Sequence, residues 1–417
     1  MMLVWCLIVL VSAFGGGECE DMSGLPKFMH MSTSQFRHLR DTLLNIIGRT
    51  TATQPQMARL SRMQMLQPSQ ENKPFPCNTT GYRSSSRPTS VHQLMPGDID
   101  IIGALGDSLT AGNGAAATNV FQVYTENRGI SWSIGGQGTW REFLTLPNII
   151  KEFNPNLIGY SLKDSFTHHK ASQFNAGEIG AMSRDVPYMA TILVKRMKND
   201  KRVDFKNDWK LVTLMIGSND FCVDVCYMKQ MTLAPELHRR DLIKTITYLR
   251  DNLPRTILQI VVAPNLEVIM NFTGLPMTCR ITQTSECPCL IGLPFRSKRK
   301  TMLKIMDEWQ KVEMEVAMDP KFTTDDFAVV YQPFTAELTF PTRRNSNGEI
   351  VTDTTYLSKD CFHFSQKGYS RASNALWNNL LEPVGGKTTN WQTEFTRFLC
   401  PSQQNPYIYT NRNSLKN

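Results

Sequence analysis

Downstream of its first residues, the chain has no uninterrupted apolar run of the roughly eighteen residues that a membrane-spanning helix needs. Nor is there a basic stripe interleaved with aromatics. The short cluster from Arg296 to Lys300 stands apart from otherwise scattered cations, so nucleic acid is not expected as a partner despite a net charge of +8. Metal signals are missing as well. Cys222/Cys226 and Cys287/Cys289 have no second Cys/His pair at zinc spacing. His168 and His169 are adjacent rather than one helical turn apart, and no Asp-rich calcium loop occurs. No internal repeat is present. With only 7 histidines in 417 residues, each one invites individual attention.

The chain does carry the marks of an oxidising compartment. Leu3 to Phe14 is a short apolar run followed by Gly15, Gly16 and Gly17, which reads as a signal peptide over residues 1–17, although no Lys or Arg precedes it. Of 10 cysteines, Cys6 falls in that segment. Most of the remainder should be paired, and their odd number leaves one over, with Cys19 the first candidate. Asn78 and Asn271 open glycosylation sequons. The C-terminus ends in polar residues with no anchor signal. The expectation is a secreted, extracellular protein without a transmembrane anchor. The excess positive charge is compatible with transient contact with an anionic membrane surface.

Residues 18–95 read as a leader. Phe36, Leu39, Leu43 and Ile47 recur at helical spacing, whereas Thr50 to Ser90 reads as mostly irregular, tethered by Cys77. Residues 96–400 read as the main domain and 401–417 as a tail. Apolar runs at Ile99 to Leu105, Trp209 to Ile216, Thr256 to Ala263 and Phe327 to Tyr331 suit buried strands, with Leu157 to Ser161 as a further short one. Helical patterns lie between them: near Thr139 to Leu146, Asp185 to Met197, Leu237 to Leu253 and Ser297 to Met318, with Gln366 to Leu381 last. Strand and helix alternate, which argues for a parallel sheet covered on both faces. Ligands then bind beyond the carboxyl ends of the strands.

Four polar stretches fall at such places: Gly106-Asp107-Ser108-Leu109, the loop Asn175 to Gly180, Gly217-Ser218-Asn219-Asp220, and Asp360-Cys361-Phe362-His363. Asp360 and His363 are three apart, a spacing that lets both side chains face one way in a turn. A carboxylate on Nδ1 would fix the imidazole tautomer and leave Nε2 to take a proton from Ser108. Backbone N–H groups of Ser108 and Gly180 and the amide of Asn219 would supply an oxyanion hole. Taken alone, each stretch has a plainer reading: Ser108 or Asn219 as a helix cap, Gly180 as a turn glycine, His363 as a structural histidine. Four of them in this order are harder to assign to chance.

These four blocks resemble those of the GDSL, or SGNH, hydrolases. The surrounding text is similar to the phospholipase B branch, notably Ala104 to Gly114, Asn154 to Ser161, Leu376 to Pro383 and Pro406 to Thr410. The resemblance implies a flavodoxin-like three-layer α/β/α sandwich with a central parallel five-stranded sheet. It implies a Ser108–His363–Asp360 triad with Ser108, Gly180 and Asn219 as oxyanion donors, and ester hydrolysis without metal or cofactor. For the branch, it implies phospholipid and lysophospholipid substrates. Two departures stand out. The anchored members have tandem repeats and a C-terminal span, whereas one unit is found here, and the third block has Ser218 where a second glycine is common. An esterase of acetylated sugars and a non-catalytic secreted binding protein are the alternatives.

Overall fold

The computed structural model describes residue 70 and residues 72–414. The expected signal segment, the helix on Phe36 to Ile47, and Cys6 and Cys19 lie outside the described residues. Four strands make the central sheet: β1 (Ile101–Gly106), β2 (Lys210–Met215), β3 (Thr256–Val261) and β4 (Phe327–Gln332). They lie side by side in chain order, all parallel, with Gly106 level with Met215 at the carboxyl edge.

The connecting helices are α3 (Val186–Asn199), α4 (Ala234–Asn252) and α6 (Arg299–Met318). Neighbouring strands joined by crossovers of one hand place their helices on one face of a sheet. Accordingly α3, α4 and α6 share a core with Ile101, Leu105, Val212, Leu214, Leu258, Ile260 and Val329. Alternate strand residues, among them Ile102, Leu211, Ile257 and Val330, point the other way. They pack against α2 (Leu146–Phe153) and α7 (Gln366–Leu380). The result is three layers, helix, sheet, helix.

The sheet has four strands rather than the five expected. Leu157 to Ser161 does not form a ladder: only isolated bridges, Ile101 to Ile158 and Ala104 to Asn175, line the outer edge of β1. Two separate segments share that edge, and Gly159 turns the chain away with φ +98°, where a Cβ would lie 2.3 Å from the Ile102 carbonyl. The helix expected near Thr139 to Leu146 begins only at Leu146, because Thr145 caps it by accepting from the Asn148 N–H and Pro147 occupies its first turn. Residues 128–145 fold irregularly on the sheet. Ser365 caps α7 by accepting from the Gly368 N–H, at the boundary the sequence suggests.

The segment from Phe75 onward is packed on this frame. Phe75 meets Trp140, Phe153 and Phe398 edge-on, and Cys77 is bonded to Cys400. The other disulfides are Cys222–Cys287, Cys226–Cys289 and Cys279–Cys361. No helix of the described residues is long and apolar enough to cross a membrane.

One buried ion pair shapes the run-up to the second polar block. Arg128 and Glu126 are both fully buried and bonded to each other. The guanidinium also donates to the Ser165, Asn175 and Gly177 carbonyls and to Thr167 Oγ1, so one side chain braces the chain from residue 165 to residue 177. Arg128→Met leaves a buried carboxylate without its cation, a loss of about 3–5 kcal/mol. Chemical denaturation should register it; a loss under about 1 kcal/mol would show that the brace is dispensable.

Candidate active site

The site starts from the end of β1. Gly106 admits no side chain, because a Cβ there would stand 2.5 Å from the Met215 carbonyl oxygen of β2. Asp107 then caps the single turn α1 (Ser108–Ala111) by accepting from the Leu109 N–H. This places Ser108 at the first helical position, just past the carboxyl edge of the sheet. Its side chain is almost buried, and its hydroxyl lies 2.9 Å from His363 Nε2.

His363 comes from the turn before α7. Its Nδ1 lies 2.5 Å from Asp360 Oδ2. Asp360 Oδ1 meanwhile accepts from the backbone N–H groups of Phe362 and His363 at 3.0 and 3.1 Å. The carboxylate thus shapes the turn with one oxygen and orients the imidazole with the other. With Nδ1–H donated to Asp360, Nε2 is left to accept from the Ser108 hydroxyl.

The turn is gripped from outside by α5 (Met277–Glu286), part of the cysteine-bearing excursion after β3. Cys279 is bonded to Cys361. Thr282 Oγ1 donates to the Asp360 carbonyl at 2.6 Å and Gln283 Nε2 to the Cys361 carbonyl at 2.9 Å. Cys361 itself sits at φ +59°, a left-handed conformation that a non-glycine residue holds only where its surroundings enforce it.

The other expected donors also lie on this edge. Gly180 has φ +73° in an exposed turn with open space where a Cβ would be. Asn219 follows Gly217, whose Cβ would press on Trp309 and Ala263. Asn219 Nδ2 donates to the Ala181 carbonyl at 2.9 Å, tying the third block to the second. That bond uses one of its two amide hydrogens. Asn219 and Ser108 both line a pocket whose remaining wall is largely apolar: Leu266, Ile269, Phe272, Leu338, Phe340 and Phe362 are among its residues. A broader depression on the far side of β1, rimmed by Lys170, Lys195, Arg196 and Arg202, includes neither Ser108 nor His363.

His168 stacks on Phe166 and meets His169 edge-on, and no group of metal-ligating side chains occurs among the described residues. The two sequon asparagines, Asn78 and Asn271, are exposed.

Two carboxyls near the histidine escaped sequence reasoning. Asp107 is buried and its carboxyl is pushed up to about 6 by that burial, against the Leu109 N–H bond and the pull of His363. Glu286 ends α5, on the face that also carries Cys279, Thr282 and Gln283. Burial drives its carboxyl to about 7, with His363 opposing and Asp360 adding. His363 feels the sum. Burial alone would depress its pKa, but Asp360 first, then Glu286 and Asp107, outweigh burial and hold it at about 9. No motif marks Glu286; its one sequence signal is the register from Cys279, legible only once that cysteine's partner is known.

A hydrogen-bonded serine, histidine and carboxylate on the carboxyl edge of a parallel α/β sheet, beside an apolar pocket, is the arrangement of a serine-hydrolase type of centre. Comparison with known proteins makes the assignment particular. Residues 102–376 match the model of the GDSL-like lipase/acylhydrolase family. The chain belongs to this family. It is similar to the membrane-associated phospholipase B1 of Homo sapiens, 40% identical over 335 residues, covering 79% of this chain and 22% of that protein. The Mus musculus protein of the same name is 37% identical over 338 residues, with the same shares. The chain therefore spans under a quarter of the length of these relatives. A crystal structure of phospholipase A1 from Streptomyces albidoflavus NA297 aligns at 16% identity and a TM-score of 0.32, covering 67% of this chain and 98% of that one.

A base must be neutral to accept a proton, so kcat/KM should fall as pH drops through the His363 pKa, held at about 9. An anion beside an imidazolium stabilises it and raises its pKa; removing the anion lowers it. Glu286→Gln should therefore move the acid limb of the kcat/KM profile to lower pH. An unmoved limb on a soluble ester would mean that Glu286 does not reach His363 electrostatically.

Proposed function

We propose that the chain hydrolyses the carboxylic esters of phospholipids and lysophospholipids through an acyl-enzyme on Ser108. The observation that carries this reading is the joining of two features: Ser108 is hydrogen-bonded to His363, and the same hydroxyl opens onto a pocket walled by Leu266, Ile269, Phe272, Phe340 and Phe362. Apolar walls suit an acyl chain, while the polar edge beside the serine suits the ester carbonyl.

In the first half-reaction, Ser108 Oγ attacks the ester carbonyl carbon and His363 Nε2 takes its proton. Asp360 holds the imidazole in the needed tautomer and stabilises the imidazolium. The carbonyl oxygen becomes an oxyanion. The backbone N–H groups of Ser108 and Gly180 and the second amide hydrogen of Asn219 are the donors available to it. Collapse breaks the ester C–O bond, and His363 returns the proton to the leaving alcohol. In the second half-reaction, water gives its proton to His363 and attacks the acyl-enzyme, releasing the fatty acid and restoring Ser108.

The four disulfides among the described residues support a secreted protein folded in an oxidising compartment. The exposed sequons at Asn78 and Asn271 support glycosylation there. The phospholipid class rests on the similarity to phospholipase B1 together with the apolar pocket.

The test is release of fatty acid from phosphatidylcholine vesicles. Wild type should release it; Ser108→Ala should lose at least about 10³-fold in rate, as removal of a nucleophile does. Asn219→Ala should lower kcat by about 10²–10³-fold, the usual cost of one oxyanion donor. Cleavage of a small soluble ester with no fatty acid from vesicles would keep the chemistry and remove the lipid assignment. No cleavage of either would favour a binding protein.

A further inference from the structure

Beneath the oxyanion side of the site lies a second chain of polar side chains that the catalytic steps do not use. Ser183 follows the Gly180 turn. Its N–H donates to the Asp220 carboxyl at 3.1 and 3.3 Å, and Asp220 is the residue after Asn219. Its hydroxyl lies 2.7 Å from His238 Nδ1 and 3.4 Å from Asp241 Oδ2. His238, on α4, is fully buried and stacks on Trp309 of α6 with ring centroids 3.8 Å apart. Among the described residues its Nε2 has no hydrogen-bond partner, and the polar group facing it is Glu313 Oε1 at 3.5 Å. Glu313 Oε2 in turn accepts from the Ala263 N–H at 3.0 Å, where β3 ends beside the pocket.

We infer that Ser183, His238 and Glu313 are positioning residues that lock the loops ending β1, β2 and β3 into the register that presents Gly180 and Asn219 to the oxyanion. The inference rests on the reading of those two residues as oxyanion donors. Its physical basis is continuity: each loop has one end of the network, and the two α-helices that supply His238 and Glu313 are packed against each other. Asn219 closes the circuit through the Ala181 carbonyl. A donor displaced by about an ångström no longer meets the developing charge.

The protonation states suit a neutral network. Burial, with Arg239 adding to it, holds His238 well below its ordinary value, so the ring is uncharged. Burial holds Glu313 well above the carboxylate range, and Asp220 likewise. A neutral Glu313 can donate to Nε2 with one oxygen while the other accepts from Ala263. His238 Nδ1–H then points at Ser183 and the Ser183 hydroxyl at Asp241. A glutamine at position 313 would reproduce both contacts, its amide N–H donating to Nε2 and its carbonyl accepting from the Ala263 N–H; an apolar residue would reproduce neither.

The test uses the whole chain, a short soluble ester and an alkyl boronic acid, whose adduct on Ser108 is tetrahedral. His238→Phe keeps an aromatic ring on Trp309 and removes both nitrogens. It should lower kcat about tenfold or more, leave KM within about twofold, and weaken boronate binding by the same factor as kcat. Glu313→Gln should stay within about threefold of wild type in kcat. Leu249→Ala, a buried change on α4, serves as the control for lost stability alone. If His238→Phe does not fold, Ser183→Ala, which deletes one oxygen, carries the same readouts.

A kcat within about twofold of wild type, a loss matched by Leu249→Ala at equal thermal stability, or a Glu313→Gln variant as damaged as His238→Phe would each overturn the inference. Asn219→Ala separates it from the reading beneath it. If that variant keeps wild-type kcat and boronate affinity, the oxyanion assignment itself fails. If it loses both while His238→Phe loses neither, the network alone is set aside.

Discussion

Asp360 carries more of this site than its share of atoms suggests. One oxygen receives the backbone of its own turn and the other receives the imidazole. Because the two tasks share one rigid carboxylate, the direction of His363 is set by the shape of the turn. Anything that holds the turn therefore holds the histidine. That explains why so much of the post-β3 excursion converges here: a disulfide, a threonine hydroxyl and a glutamine amide from α5 all end on Asp360 or Cys361. A strained residue such as Cys361 persists only when its neighbours leave it no alternative, and α5 provides that constraint beside the base.

The electrostatics follow from the same crowding. Asp107, Asp360 and Glu286 all act on one buried imidazole. Burial raises Asp107 and Glu286, and the anions together raise His363. In the proposed reaction an imidazolium is the species that appears once Ser108 has attacked. An environment that favours it lowers the energy of the intermediate and makes the resting base harder to keep neutral. The two effects oppose each other in pH, and Glu286 is the contributor that lies outside the Ser108 turn and the Asp360 turn.

Much of this was legible from the chain because the relevant physics is local. Short apolar runs closed by small polar residues can do little except form buried strands with functional turns, and the four sheet strands sit where that pattern places them. The Asp360–His363 spacing is likewise a local relation, and Ser108 enters it through the topology of the sheet. The failures have a common cause in contacts between distant segments. Leu157 to Ser161 has strand composition but must share the edge of β1 with residues 174–176, so neither forms a full strand. Thr139 to Leu146 has helical pattern, yet Thr145 and Pro147 start the helix later. Cysteine counting pointed to paired thiols but not to which pairs, since connectivity is a property of the fold. Glu286 depends on Cys279–Cys361, and His238 on two helices meeting.

The division of labour between the two faces of the carboxyl edge is the remaining step. Above Ser108 the wall is apolar, with Phe272, Phe340 and Phe362 offering contact but no direction. Below and beside it, Asn219, Ser183 and His238 offer direction through hydrogen bonds. An acyl chain needs only a dry groove, because dispersion and hydrophobic transfer are non-directional. A developing oxyanion needs donors fixed before the charge appears, because their reorganisation would consume the stabilisation they give. Buried polar groups cost stability unless satisfied, and a chain that retains His238 and Glu313 where leucines would pack holds them for the geometry they impose. In the proposed reaction the same sheet edge thus separates an apolar half, which gives contact without direction, from a polar half, which gives direction.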